Sequence, residues 1–277
     1  MTTRAATAAG FIDTHAHLES EQFDGRQNQV IQTALDAGVQ KIIAIGCTWG
    51  SSQKSLYLAK QHENVFAAVG IHPNYCSTAT DHDWERILVM LDQPEVVALG
   101  ETGLDRYWDY APFELQQKYF DRHIRTSQKT GLPFIVHMRE CEQEILEMLQ
   151  EARQRGPLQG VMHSFTGDTV MASKCLELGM YISFAGMVTF KKNDALREVA
   201  AMIPQNRILL ETDCPYLSPH PYRSKRPNHP AMMLHTAQCV ADVRGVSLEE
   251  IGLQSTQNAC DLFTRLDGNN DKTKSVL

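Results

Sequence analysis

Phe11-Ile12-Asp13-Thr14-His15-Ala16-His17-Leu18 sets a carboxylate and two imidazoles at a spacing of two behind an apolar pair. On an extended strand, residues two apart face the same side. His15 and His17 then project together, with Asp13 one step behind. Neutral imidazole is a common ligand of divalent metals, and a carboxylate can bind the ion or orient the ring. A surface strand with two solvated histidines is the plain alternative, and the rest of the chain has to decide between them.

Further groups of ligand type end apolar runs. Glu101 follows Val96-Val-Ala-Leu-Gly100, and His137 follows Phe134-Ile-Val136. His163 follows Val161-Met162, and Asp213 follows Ile208-Leu-Leu-Glu-Thr212. One histidine ending an apolar strand is more often a hydrogen-bonded core residue than a ligand. Five runs ending this way are hard to explain so. The set suits two divalent ions, Mg or Mn by preference, with Zn and Fe left open by mixed N and O ligation. His15, His17 and Asp213 would hold one, His137 and His163 the other, and Glu101 would bridge them. Two ions about 3.5–4 Å apart can clamp the attacking and leaving oxygens of a hydrolysis. Asp213 could act as the general base, and Asp13 could orient a histidine from behind.

Positioning such a set needs several strand ends at one place. Candidate strands are Phe11–His15, Lys41–Gly46, Val65–Gly70, Val96–Gly100, Pro133–His137, Gly160–His163, Tyr181–Phe184 and Ile208–Glu211. Helical patterns lie near Arg26–Ala37, Ser51–Gln61, Trp84–Leu91, Phe113–Lys129, Glu142–Arg153, Val170–Leu178, Asp194–Met202, Ala231–Val243 and Leu248–Cys260. Ser247-x-x-Glu250 reads as a capping box at the last of them. Alternation of strand and helix indicates parallel βαβ units. Eight such units suggest an α/β fold closed as a single (β/α)8 TIM barrel, with the metal site at the C-terminal ends of the strands. A doubly wound open sheet is the alternative. The expected layout is a flexible N-terminus over 1–9, the barrel over 10–265 and a polar tail over 266–277.

Composition agrees with this layout. The 277 residues are 43% hydrophobic, enough for a large core, and no apolar run approaches a membrane span. Seven scattered cysteines with no CxxC pair point to free thiols, and residues 1–10 do not read as a secretory signal, so a cytoplasmic protein is expected. A monomer without membrane contact is favoured. The net charge of −7 and pI of about 5.9 count against non-specific coating of nucleic acid. They do not exclude an enzyme that meets a few phosphates through bound cations.

Substrate contacts are sought around the site. The loop Asp213–Pro230 is basic and aromatic, and long loops of compact domains are often functional. Arg223 and Arg226 on it are candidates for phosphate, because guanidinium matches that group bidentately. Tyr216 and Phe165 could stack on bases. His72, in Gly70-Ile-His-Pro73, could contact substrate or donate to a leaving group, and Arg139 could meet a phosphate. His62, His82, His123 and His235 read as surface or structural. Cys214 has no paired base and does not read as a nucleophile.

Taken together, these stretches resemble the TatD-type metal-dependent deoxyribonucleases of the amidohydrolase superfamily. The matching segments are Asp13-Thr-His-Ala-His17, Gly70-Ile-His-Pro73, Gly100-Glu-Thr-Gly-Leu-Asp105, Pro133-Phe-Ile-Val-His137, His163-Ser-Phe-Thr-Gly167, Leu210-Glu-Thr-Asp-Cys-Pro-Tyr216 and Pro221-Tyr-Arg-Ser-Lys-Arg226. Asn258 and Leu262-Phe263 fit as well. The resemblance implies a TIM barrel and divalent-metal-dependent phosphodiester hydrolysis, and it places the family ligands on His15, His17, Glu101, His137, His163 and Asp213. Two segments depart from the family pattern. Arg106 precedes Tyr107 where a Tyr commonly follows Gly-Leu-Asp directly, and Ser224-Lys-Arg-Pro-Asn-His-Pro230 replaces the usual Gly-Lys-Arg-Asn-Glu-Pro. The leading expectation is a deoxyribonuclease working 3′–5′ on single-stranded DNA. The alternatives are a deacylase or amidohydrolase, acting for example on aminoacyl-tRNA, and a non-catalytic scaffold that the complete ligand set argues against.

Overall fold

Residues 10–267 are described by the structure, a computed structural model. Strands β1 (Phe11–Ala16), β2 (Val39–Ile45), β3 (Val65–Val69), β4 (Val96–Asp105), β5 (Phe134–Arg139), β6 (Gly160–Met162), β7 (Tyr181–Phe184) and β8 (Ile208–Leu210) pair in parallel and in chain order. Between them run α1 (Gln27–Asp36), α2 (Trp49–Gln61), α3 (Asp81–Met90), α4 (Phe113–Thr130), α5 (Glu142–Arg155), α6 (Thr169–Glu177) and α7 (Asp194–Met202). After β8 come α8 (Met233–Arg244) and α9 (Leu248–Leu262). The result is a (β/α)8 barrel, not the open sheet.

The seam between β1 and β8 closes at the C-terminal mouth. Asp213 N donates to His15 O at 2.9 Å and His17 N donates to Cys214 O at 2.8 Å. The Asp13 carboxylate accepts from Thr212 N at 3.0 Å and from Thr212 Oγ1 at 2.6 Å. Closure and the first histidine pair are therefore made by the same residues.

Alternation along the strands explains why ligand-type residues share the interior. On β2, Ile43 and Ile45 face the barrel axis while Ile42 and Ala44 pack under helices. On β5, Ile135 faces inward between Phe134 and Val136, and on β8 Leu209 does so between Ile208 and Leu210. Continuing at period two, β5 aims His137 into the mouth, and β8 leads to Glu211 and Asp213. β1 breaks this parity. Ile12 belongs to the interior, yet His15, three residues on, faces Glu101 at 3.3 Å, and the pairing with β2 shifts register between Asp13 and Ala16.

At the other end of the barrel, Ala259, Leu262, Phe263 and Leu266 pack into the interior cluster. Asn258 Nδ2 donates to Gln205 O at 2.9 Å and to Ile208 O at 2.8 Å. The C-terminal motif is thus a plug far from the mouth. Leu266 is 2% exposed and Lys41 Nζ donates to its carbonyl at 2.7 Å, so the expected tail loses its first two residues to a final turn, Thr264–Asp267. The rest of that tail, and the expected N-terminal segment 1–9, lie outside the described residues.

Element ends differ from the sequence reading where caps decide. α3 starts at Asp81, three residues earlier than expected, because the Thr80 hydroxyl accepts from Asp83 N and the Asp83 carboxylate accepts from Thr80 N. The capping box at Ser247 and Glu250 forms as read. The largest difference is in β4, which runs on to Asp105 instead of ending at Gly100. Gly103 permits this. It sits at φ +131°, and a Cβ there would lie 2.0 Å from His137 O. Among the described residues, no helix is long and apolar enough to cross a membrane.

Candidate metal centre

The six expected ligands converge at the barrel mouth, and the Glu101 carboxylate sits between them. Its Oε1 lies 2.8 Å from His163 Nε2 and 2.9 Å from His137 Nδ1. Its Oε2 lies 3.3 Å from His15 Nε2 and 3.7 Å from His17 Nε2. Asp213 Oδ1 is 3.4 Å from His17 Nε2 and 3.8 Å from His15 Nε2. The two oxygens of one carboxylate thus face two separate groups of donors. Asp213 reaches its place with φ at +52°, a left-handed conformation uncommon for a non-glycine residue and held by the seam bond to His15.

Glu101 is 3% exposed, and all the ion-pair partners of Glu101 and Asp213 among the described residues are imidazoles. A buried and a largely buried carboxylate without a Lys or Arg need positive charge from elsewhere, either protonated histidine or a cation. Sets such as His15, His17 and Glu101, or His15, His163 and Asp213, bring one donor atom each within 4.8 Å of one another. Donor types and convergence both fit divalent metal ions.

The electrostatics follow from crowding. Burial raises the carboxyl of Glu101, but His163, His72 and His15 outweigh it and hold the group well below its usual range. His163 is pushed well up against the cost of burial by Glu101 and Glu211. Burial and the nearby His163 push His15 down. Asp213 is held low by His17 and His15 in spite of burial. Asp13 is pushed up to about 7 by burial, which its bonds from Thr212 only partly offset.

Three residues that the sequence reading did not assign hold the ligands in place. Asp105 Oδ2 lies 3.0 Å from His137 Nε2. With Nε2–H donating there, the Nδ1 lone pair is left facing Glu101. Glu211 Oε1 lies 3.3 Å from His163 Nδ1, while Glu211 accepts from Ser164 N and Ser183 Oγ at 2.6 Å each. Cys47 Sγ lies 3.8 Å from Glu101 Oε2 and 3.9 Å from His17 Nδ1, and burial pushes its thiol up to about 12. Asp13 meets the backbone instead of a ring: besides Thr212 it accepts from His15 N at 3.2 Å. It therefore fixes the seam and orients no imidazole.

The other expected contacts separate. His72 lines the cleft with Nε2 at 3.5 Å from Glu101 Oε1, and its Nδ1 accepts from Asn74 N. That acceptance leaves the proton on Nε2 of the neutral ring, which makes His72 a donor toward the centre. Arg139 and Tyr216 line the same cleft. Arg223 and Arg226 do not. The loop bearing them is fastened by Asn228 to Thr212 O and Tyr216 O, and Arg223 lies over Phe190 at 3.9 Å. Phe165 is 1% exposed and cannot stack on a ligand. His123 is buried, accepting from Ile71 N at 3.1 Å. Cys214 is buried as well.

Fold and donor set define a class: hydrolases that work with divalent metal at the mouth of a (β/α)8 barrel. A family profile described as "TatD related DNase" matches residues 12–264. The metal-dependent hydrolase YabD of Bacillus subtilis is 36% identical over 252 residues, covering 91% of this chain and 98% of that protein. The "3'-5' ssDNA/RNA exonuclease TatD" of Shigella flexneri is 32% identical over 256 residues, covering 91% and 98%. The crystal structure of YJJV, a TatD homologue from Escherichia coli, superposes with a TM-score of 0.85 at 30% identity, covering 92% and 98% of the two chains. The chain belongs to the TatD family of metal-dependent hydrolases.

Proposed function

We propose that this protein is a divalent-metal-dependent deoxyribonuclease that removes nucleotides from the 3′ end of single-stranded DNA. The observation that carries the reading is the pair of Glu101 oxygens facing two donor groups at the floor of an open cleft of about 2430 Å³. That volume exceeds the roughly 300–1,000 Å³ typical of small-molecule sites and suits a polymer. The name of the Shigella relative and the description of the family support the same substrate class.

His15, His17, Glu101, His137, His163 and Asp213 would hold the metal ions, which would supply Lewis acidity and lower the pKa of the hydrolytic water. Two ions, Mg or Mn, match the two donor groups. The chain's own residues do the rest. Asp213, kept ionised by His17 and His15, is placed to take the proton from that water. His72 Nε2 lies 3.5 Å from Glu101 Oε1 and can donate its proton to the leaving oxygen. Arg139 at the rim can hold a phosphate of the strand.

The test is digestion of a 3′-labelled single-stranded oligonucleotide by chelator-stripped protein, with and without Mg²⁺ or Mn²⁺ restored. Stepwise loss of label only with metal is expected. Failure of folded, metal-loaded protein to cut any DNA would overturn the reading in favour of an ester or amide substrate such as aminoacyl-tRNA.

A further inference from the structure

Beyond the metal centre, the most distinctive part of the mouth is the segment after β4, Tyr107-Trp108-Asp109-Tyr110, which is exposed throughout. Trp108 is 41% exposed and Tyr110 60%, costly positions for large apolar rings without a ligand. Their rings stack on each other with centroids 5.3 Å apart and planes 13° apart. Both line the cleft. The Arg139 guanidinium, also on the cleft wall, covers Tyr107 at 3.6 Å and lies 5.7 Å from the Trp108 ring. Among the described residues it makes no ion pair, so its charge remains available at the platform's edge.

This platform is tied to the metal centre through one carboxylate. Asp105 Oδ1 accepts from Tyr107 N at 2.9 Å and Trp108 N at 3.1 Å, while Oδ2 lies 3.0 Å from His137 Nε2. The aromatic wall is therefore held at a fixed offset from the centre and does not float on a loose loop.

We propose that Trp108 and Tyr110, with Arg139 beside them, form a nucleobase-stacking subsite that grips one base of a single strand while Arg139 takes an adjacent phosphate. The inference rests on the nuclease reading and adds where the strand is held. Every base offers a π face, so the grip is indifferent to sequence, and it requires an unstacked base, which favours single strands over duplex. A small ester or amide has no use for such a wall.

The experiment is a walk of a single abasic site along a short oligo(dT), with KM measured for each substrate on the metal-loaded full-length enzyme. One position near the scissile bond should show a KM about 5- to 150-fold higher when its base is missing, the range that stacking of one base on an aromatic ring spans. In Trp108→Ala or Tyr110→Ala that penalty should collapse, because the wall it reports is gone. The milder Trp108→Leu, checked for folding by circular dichroism, guards against misfolding. Hydrolysis of bis(4-nitrophenyl) phosphate, which carries no base, should suffer less than oligonucleotide hydrolysis in every variant. An abasic penalty that persists undiminished in folded variants, or no penalty at any position in the native enzyme, overturns the subsite while leaving the nuclease reading intact. Failure of the native enzyme to cut any oligonucleotide while it turns over the small diester overturns both.

Discussion

The two halves of the candidate metal centre are supported in different ways. On the β5–β6 side, carboxylates act on the imidazoles themselves: Asp105 accepts from His137, and Glu211 lies behind His163. On the β1–β8 side, the buried carboxylate Asp13 acts on backbone and hydroxyl groups, and His15 Nδ1 is buried without a hydrogen-bond partner. The difference rests on one ring: Asp105 fixes His137 at 3.0 Å, whereas on the β1–β8 side the outward nitrogen of His17 has Glu19 only at 3.4 Å. His15 Nδ1 and His163 Nδ1 both lack a hydrogen bond, and those rings are held by packing. Against His15 that packing is provided by His163, stacked at 3.9 Å. A ring whose tautomer is preset is the better ligand, so the β5–β6 half should hold metal more tightly.

Glu101 belongs to both halves, and its replacement is the most severe test. Glu101→Gln should lower kcat by about 10⁴-fold, since it removes the charge both donor groups share. Metal content measured by mass spectrometry should fall in both halves together. Retention of two tightly held ions by this variant would show that the halves are independent and that the bridge is illusory. Asp213→Asn should cost about 10²–10³ in kcat while leaving the β5–β6 half able to bind metal, so that one ion per chain remains. Loss of both ions would break the proposed asymmetry.

The supporting carboxylates separate the halves more finely. Asp105→Asn should weaken metal binding by about 10- to 100-fold in a chelator competition, the usual cost of losing the partner of a ligating imidazole. Asp13→Asn should change metal affinity less. It should instead lower the unfolding free energy by about 1–3 kcal/mol in urea titrations, because buried bonds across the seam are disturbed. If the two variants exchanged these effects, the contrast between the halves would be wrong.

The smallest effect lies outside both halves. His123 is fully buried and its imidazole is held down to about 4 by burial, against an ordinary 6.5. Its neutral form belongs to the fold, and the unfolded chain binds the extra proton first as pH falls. The stability it contributes is complete above pH 6.5 and is lost between 6.5 and about 4, amounting to about 3 kcal/mol. His123→Gln, which can still accept from Ile71 N, should flatten the dependence of urea midpoints on pH across that window. An unchanged slope would mean that groups of the metal centre dominate it.

Much of the fold and of the ligand set was legible because ligand-type residues end apolar runs. His137, His163, Glu101 and Asp213 each follow an apolar run, and the helix-strand alternation gives the barrel. Asp105 and Glu211 carry a subtler signal in the sequence. Each shares parity with a residue already singled out, Asp105 with Glu101 and Glu211 with Asp213, so the period-two reasoning applied to Asp13, His15 and His17 reaches them too. Asp105 is obscured because the apolar run of β4 stops at Gly100 while the strand itself continues. Arg223 and Arg226 stood out by composition, yet charge in a loop says nothing about which way the loop is fastened. Asn228 decides that, through bonds to carbonyls many residues away.

The sequence by itself determined the eight strand-helix units, the residue types at their mouths and hence the metal chemistry, because periodicity and strand termini are local properties. Only the tertiary structure decided that Asp13 seals a seam instead of orienting a ring, and that Trp108 and Tyr110, not Arg223 and Arg226, wall the cleft. Those outcomes depend on register between strands distant in the chain and on which buried polar groups find partners, and both are fixed only when the barrel closes.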